Sequence, residues 1–566
     1  MSSFINAMDE ISHRTVGVNG SDVYKVPVGE SQELLALFGA LNRDLDDERL
    51  YGLLEDAMKT ATVEDLHVLA FHTRDILEGK GERELFYKMF LHMAHFSKAK
   101  EVEMALVKLI PDYGAWFDLQ RLVKDGQDGT ADKELLDRVL EVYCGQIIKD
   151  CKGSGKQSLA AKWAPREGKS DGWLARLLAR KMFKNIPSKT DTYKKYRQII
   201  SHLNTELGTV EQKMCHGPDG QNHFSDIKPG AVPSRCLKTK RKAFFDEDKN
   251  GAIRHPDVPD RVKCRENFKA HMTKAVKGEA KVHGKTLMPH EFIVELERAV
   301  HFSEDDYKTL QAQWNDLRDS VLAKGTLGKT VVMSDFSGSM TGGGHGNVQP
   351  IHVSKGLGLL CAECTSPAFR DRILTFDSTP TWHNVSRYTT LKDRVRSFNG
   401  VSQGMSTNFQ AAMDLVLNRL VEARVPAGEE PDIILVITDM GWDQANTSHD
   451  NSYYGGWGSF GESNKPSGGK FETHIDRIKC DFKTAGGWKM PTIVIWNVSG
   501  KFQQYHHKSD TEGVCVISGW SPAILKYIMN GDDIVEKMKT MTPYKMMRQI
   551  LDDPRYDPVR DVVKSI

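Results

Sequence analysis

From about Ser31 to Gly217 apolar residues recur at intervals of three and four, through SQELLALFGALN, DERLYGLLEDAMKTA, VEDLHVLAFHTRDILEG, GERELFYKMFLHMAHF, AKEVEMALVKLI and KELLDRVLEVYCGQIIKDC. That is the period of helices with one buried face. Thr62, ahead of Val63-Glu64-Asp65, predicts a side-chain cap, and the short connections predict helices packed as antiparallel neighbours. Residues 217–289 carry a weaker period and more Gly, Pro and charge, which predicts loops and short helices. The helical period returns in PHEFIVELERAV and DDYKTLQAQWNDLRDSVLA. From Lys329 the pattern changes to short β-type runs, TVVMS, RILTF, PDIILVITD, TIVIWNV and GVCVIS, alternating with helical stretches such as NFQAAMDLVLNRLVEARV. Such alternation predicts βαβ units and a parallel sheet covered on both faces.

The expected fold class is multidomain, α plus α/β. Residues 1–325 form a helical array that resembles stacked pairs of the HEAT type, without a fixed repeat period visible in the sequence. Residues 326–530 form a Rossmann-like α/β domain. Residues 531–566 form a helical tail docking back, read from the amphipathic, Met-rich IVEKMKTMTPYKMMRQIL and the following DDPRYDPVR.

With 77 Lys and Arg against 76 Asp and Glu the net charge is +1, so any field that steers a partner must come from local clustering. Hydrophobic residues at 39% and charged residues at 27% are ordinary globular proportions and exclude wholesale disorder. Nine scattered cysteines predict reduced thiols in a cytoplasmic setting. Cys361 and Cys364, in GLGLLCAEC, read as core packing, with metal or redox chemistry as the alternative. No window approaches the roughly 18 apolar residues of a membrane span, and MSSFINAMDEISHR places acids where a signal peptide wants an apolar core. A soluble protein with no membrane partner is expected.

The most informative residues follow the first strand. Asp335-Phe336-Ser337-Gly338-Ser339 puts one carboxylate and two hydroxyls on a tight loop, at the edge where open α/β sheets bind ligands. Thr407, ahead of a long helix, and Asp439, ending IILVITD, supply two further oxygen donors, an all-oxygen set suited to a hard cation. The alternative is a short Asp/Ser loop that caps a helix. The constellation resembles the metal-ion-dependent adhesion site of von Willebrand factor A domains. That resemblance implies Mg²⁺ held by Ser337, Ser339 and Thr407 directly or nearly so and by Asp335 and Asp439 directly or through water, with one position left for a partner's acidic group. Asp377, after RILTF, reads as a turn residue. His345 and His352 read as surface positions, and no His/Glu pair accompanies the loops, so no enzyme and no catalytic residue are expected.

After Asp439 comes WDQANTSHDNSYYGGWGSFGESNKPSGGK, read as a loop on the same rim. Its aromatics Trp442, Tyr453, Tyr454, Trp457 and Phe460 either stack on bases and grip partners or are incidental to a solvated insertion.

A basic stretch runs from Lys149 to Lys195, with Trp163 and Trp173 inside it. Its candidate RNA contacts are Lys152, Lys156, Lys162, Trp163, Arg166, Lys169, Arg176, Arg180 and Lys181, joined by a second cluster, Lys238, Lys240, Arg241 and Lys242. Cations interleaved with flat rings neutralise phosphates and stack bases; the alternative is a solvated helical face. Thr73-Arg74-Asp75, Gly79-Lys80-Gly81-Glu82-Arg83, Pro111-Asp112-Tyr113-Gly114-Ala115-Trp116, Ser158-Leu159-Ala160-Ala161-Lys162-Trp163-Ala164-Pro165, Tyr196-Arg197, Val232-Pro233-Ser234, Lys277-Gly278-Glu279-Ala280 and Asp553-Pro554-Arg555-Tyr556 resemble the DUF2828 family. Its layout is similar to that of the Ro/TROVE proteins, a helical ring closed by a von Willebrand factor A domain. The resemblance implies a non-catalytic RNA-binding protein for small structured or single-stranded RNA. The alternative is a Mg²⁺-dependent protein scaffold or viral assembly protein whose metal binds a partner carboxylate.

Overall fold

A computed structural model describes residues 10–96, 100–128, 132–153, 155–215, 222–377, 379–401, 407–442, 473–502, 504–529 and 536–566. They fall into two compact units. One takes the described residues of 1–61, 289–294 and 324–550; the other takes those of 62–288, 295–323 and 551–566.

The first unit opens with an antiparallel hairpin of β1 (Arg14–Val16) and β2 (Asp22–Tyr24). Its sheet has six strands, β3 (Thr330–Asp335), β4 (Arg372–Phe376), β5 (Thr381–Asn384), β6 (Ile433–Thr438), β7 (Thr492–Asn497) and β8 (Val514–Ser518), in the order β5-β4-β3-β6-β7-β8. All neighbours run parallel except the edge strand β5, which pairs antiparallel with β4. TWHN in β5 escapes the sequence pattern because three of its four residues are exposed and it lacks the apolar run of a central strand. Every residue of β3, β6, β7 and β8 is buried, as befits strands covered on both faces.

Alternation along β3 divides the two layers. Val331 and Met333 face a core with helices Phe409–Glu422 and His474–Ala485. Ser334 faces helix Pro350–Glu363, where a Cβ on Gly358 would stand 2.2 Å from the Ser334 hydroxyl, so only glycine lets helix and strand approach this closely. Helix Gln32–Ala40, expected in the helical array, instead packs on β8: Ser518 donates to the Phe38 carbonyl at 2.6 Å, and Asn497 to that of Gly39 at 3.0 Å. The run from Leu34 to Ala40 is wholly buried, more apolar than a helix with one exposed face allows. The strand order reverses direction between β3 and β6, and this switch point is where an open α/β sheet leaves a crevice beyond its carboxyl ends.

In the second unit helix Val63–Arg74 packs on Arg83–Phe96, Trp116–Asp125 on Lys133–Cys151, and Gly172–Met182 on Lys189–Leu207. Thr62 caps the first of these, its hydroxyl accepting the Asp65 N–H at 3.0 Å. Residues 217–289, expected as loops and short helices, contain the 18-residue helix Pro259–Val276. Its buried seam, Cys264, Phe268, Met272 and Ala275, is narrow and set among charges, which hides the period; Phe268 stacks on Phe244 at 4.5 Å. At the C-terminus helix Asp557–Lys564 packs on Val63–Arg74, while the Met-rich segment before it buries Met538, Met541, Met546 and Met547 in the first unit. All nine cysteines are free thiols, with Cys361 and Cys364 buried. Among the described residues no helix is long and apolar enough to cross a membrane.

Candidate cation site and basic helical face

β3 ends on Asp335 and β6 delivers Asp439 one residue past its end, so parallel pairing of these strands brings two carboxylates to the switch point. Both are completely shielded from solvent. Asp335 Oδ1 accepts the Ser337 N–H at 2.9 Å, and its Oδ2 accepts the Thr438 hydroxyl at 2.7 Å. The Ser337 and Ser339 hydroxyls lie 3.0 Å apart. Asp439 Oδ1 accepts the Gly441 N–H at 3.1 Å, whereas its buried Oδ2 makes no hydrogen bond. Burial, and then the charge of Asp439, push the Asp335 carboxyl up to about 8. Burial likewise raises Asp439, opposed in part by Ser339 and Lys501.

Thr407 is buried just ahead of helix Phe409–Glu422, whose cap is the Asn408 side chain, 2.9 Å from the Ala411 N–H. Asn408 also donates its N–H to the Asp377 carbonyl at 3.2 Å, which ties this loop to the end of β4. Asp377 is the expected turn residue, its carboxylate accepting the Thr379 N–H at 2.8 Å. Two acids and three hydroxyls, with a buried carboxylate oxygen lacking a donor, make a donor set that a hard cation would satisfy. Among the described residues no group of three or more His, Cys, Asp or Glu side chains is arranged to hold a metal; the candidate donors here are two carboxylates and three hydroxyls. Thr438 was missed by sequence reasoning, although it directly precedes Asp439. Lys501, which follows β7, left no signal because its place depends on strand order.

Two sequence expectations change here. Trp442 is fully buried, stacked between Phe409 at 4.1 Å and His506 at 4.2 Å, and its indole N–H donates to Thr438 at 3.1 Å. It braces the strand end and is no free aromatic; Tyr453, Tyr454, Trp457 and Phe460 lie outside the described residues. His352 is buried, accepting the Gln349 N–H at 2.9 Å as part of a helix cap, whereas His345 is exposed as expected and pairs through its backbone with Val348.

In the second unit the basic residues divide by their partners. Lys152, Lys156, Arg166, Lys169, Arg176 and Arg180 are exposed. Arg176, Leu177 and Arg180 follow one face of helix Gly172–Met182, the Arg180 guanidinium donating to the Tyr193 hydroxyl at 2.8 and 3.1 Å. Trp163 is 43% exposed and leans on Phe117 at 5.4 Å. By contrast Lys162 is paired with Glu211 at 3.1 Å, and Lys181 with Asp137 and Glu141.

The second basic cluster is mostly internal. Arg241 is buried between Asp306 and Glu295, Lys242 bridges Asp306 and Glu247 at 2.7 Å each, and Lys238 lies 3.6 Å from Glu295. Glu295 and Asp306 come from helices more than fifty positions further along, so the sequence window that showed the cluster could not show its neutralisation. Only Lys240 of the four is exposed.

Residues 118–327 match the family described as a domain of unknown function, DUF2828. Residues 329–566 match a second domain of unknown function, DUF7788, so the junction between the two matches falls just before β3. The chain is similar to an uncharacterised protein of Acanthamoeba polyphaga mimivirus, L728, at 26% identity over 507 residues, spanning 87% of this chain and 80% of the viral one. Among solved structures it is similar to the crystal structure of the Deinococcus radiodurans Ro (RSR) protein, with a TM-score of 0.42 and 11% identity, over 93% of this chain and 100% of that one.

Proposed function

We propose that this protein binds RNA, without turning it over, through the exposed basic face of its helical unit, and that its sheet unit holds Mg²⁺ at Asp335, Ser337, Ser339, Thr407 and Asp439. The observation that carries the reading is the exposure of Lys156, Arg166, Lys169, Arg176 and Arg180 together with the half-open Trp163 ring. Exposed ammonium and guanidinium groups exchange condensed counterions for phosphates, and an exposed indole offers a face to an unpaired base. Bound Mg²⁺ would supply a fixed double positive charge and an open coordination position at the switch point. Asp335 and Asp439 would neutralise it, and Ser337, Ser339 and Thr407 would complete the oxygen shell.

Binding of fluorescent single-stranded and hairpin RNAs across a salt series tests this, with Mg²⁺ or EDTA and with a Lys156, Lys169, Arg176, Arg180→Glu variant. A steep salt slope that collapses in the variant is the expected result. Absence of RNA binding, with chelator-sensitive and salt-tolerant capture of an acidic protein partner, would replace it by the scaffold reading, for which the orphan Asp439 oxygen is the supporting observation.

A further inference from the structure

The loop after β7 adds a cation to the rim of the candidate metal site, and its backbone is clamped. Asp44 accepts the Ser499 hydroxyl at 2.6 Å and the Gly500 N–H at 2.7 Å. Arg49 donates to the carbonyls of Gly500 and Lys501, the latter at 2.8 Å. A Cβ on Gly500 would stand 2.8 Å from Leu45 Cα, so the loop lies flush against its support. The side chains that emerge reach both loops of the site. The Lys501 ammonium lies 3.6 Å from where a Cβ of Gly342 would stand, three residues after Ser339. The Phe502 ring lies close on Gly441, where a Cβ would come within 2.6 Å of it, two residues after Asp439. Lys501 is exposed and Phe502 half-buried, with the ammonium 4.9 Å from the ring centroid.

We propose that Lys501 and Phe502 form the ligand-facing half of the cation site, and that the ligand is a nucleotide unit of RNA whose phosphate oxygens are shared between the cation and the Lys501 ammonium. The inference rests on the cation and RNA readings above. A phosphodiester carries one negative charge on two non-bridging oxygens, which can point to two cations along different directions. Lysine serves this geometry as a point charge, whereas selection of a planar carboxylate is better served by the arginine fork. The adjacent ring favours the same ligand, since a base can stack on Phe502 while a carboxylate has no use for it. The clamp by Asp44 and Arg49 fixes the backbone from which Lys501 and Phe502 project, so the loop itself needs no ordering on binding.

The test uses the full chain, Mn²⁺ as the metal probe and a fluorescent oligouridylate as the RNA probe. Lys501→Met should leave Mn²⁺ affinity, read by electron paramagnetic resonance of the free ion, unchanged or tighter. It should remove the EDTA-sensitive part of RNA affinity, a loss of about tenfold. Lys501→Arg should restore part of that loss, and the EDTA-insensitive part set by the helical face should not change. An EDTA-sensitive increment that survives Lys501→Met overturns the inference. RNA binding that ignores EDTA in the wild type overturns it while leaving the RNA reading intact, and absence of RNA binding overturns both. A polyglutamate peptide that binds with the same dependence on metal and Lys501, where RNA does not, assigns the site to an acidic protein.

Discussion

Asp335 and Asp439 close the carboxyl ends of the paired strands β3 and β6, both sealed from water, and the second carboxylate helps to hold the first in its protonated form. Two like charges in one dry crevice are costly unless a proton or a cation separates them.

Cation binding should therefore stabilise the fold and release protons. Without a cation the folded chain keeps a proton on Asp335 that the unfolded chain has given up, from the ordinary carboxylate range up to about 8. Stability contributed there falls as pH rises through that window. Mg²⁺ should raise the melting temperature most at the upper end of the window, by about 2–4 °C per kcal/mol for a unit of this size. Asp439→Asn should raise the melting temperature of the cation-free protein at pH 8 and abolish the Mg²⁺ effect, and calorimetry in buffers of different ionisation enthalpy counts the protons. A melting temperature indifferent to Mg²⁺ in the wild type would count against the site.

The two basic clusters should respond differently to mutation. Charge reversal at Lys156, Lys169, Arg176 and Arg180 should leave the melting curve almost unchanged and lower the slope of log affinity against log salt by about 0.7 for each phosphate no longer neutralised. Arg241→Ala should instead destabilise the fold by about 3 kcal/mol, because it takes the buried guanidinium from between Asp306 and Glu295 and leaves Lys242 as the one cation paired with the buried Asp306 carboxylate. Denaturant titrations beside salt-dependent binding separate the two.

Lys80 is completely buried, and burial pulls its ammonium down to about 7 against a weaker opposing effect of Glu82. Between about 7 and the ordinary lysine range the unfolded chain binds a proton that the folded chain lacks, so stability rises with pH there. The slope for one such group approaches about 1.4 kcal/mol per pH unit. Lys80→Met should flatten this rise in urea melts between pH 7 and 9; an unchanged slope would show that the amine titrates normally.

The C-terminal segment is held by a fork. Arg555 donates to both oxygens of the buried Asp75 at 3.0 and 3.2 Å, and the Tyr556 hydroxyl lies 2.9 Å from His72 Nδ1. Arg555→Ala should cost about 3 kcal/mol, and Asp75→Asn in the same chain should recover part of it by removing the stranded charge. Limited proteolysis should find cleavage after residue 551 accelerated in the single variant and slowed again in the double one.

Local pattern carried far in some places and failed in others for reasons visible in particular residues. The apolar runs of β3, β6, β7 and β8 needed no partner to be recognised, because strands buried on both faces are apolar throughout. Asp335, Ser337, Ser339, Thr407 and Asp439 were legible because each sits next to the end of a strand or the start of a helix. Trp442 was misread as a loop aromatic because its stacking partners, Phe409 and His506, lie 33 and 64 positions away. Arg241 was misread as exposed for the same reason, its acids being supplied by distant helices.

The amino-acid order by itself determined the helix and strand periods, the change of pattern at Lys329 and the oxygen donors that follow the strands, since each depends on spacing within a few residues. Only the tertiary structure decided which charges face water and which are neutralised inside, that helix Gln32–Ala40 covers the sheet, and that Lys501 reaches the rim beside Asp439. Those outcomes depend on which distant segments pack together, and a charge or a ring acquires its role from the neighbours that desolvate, pair or expose it.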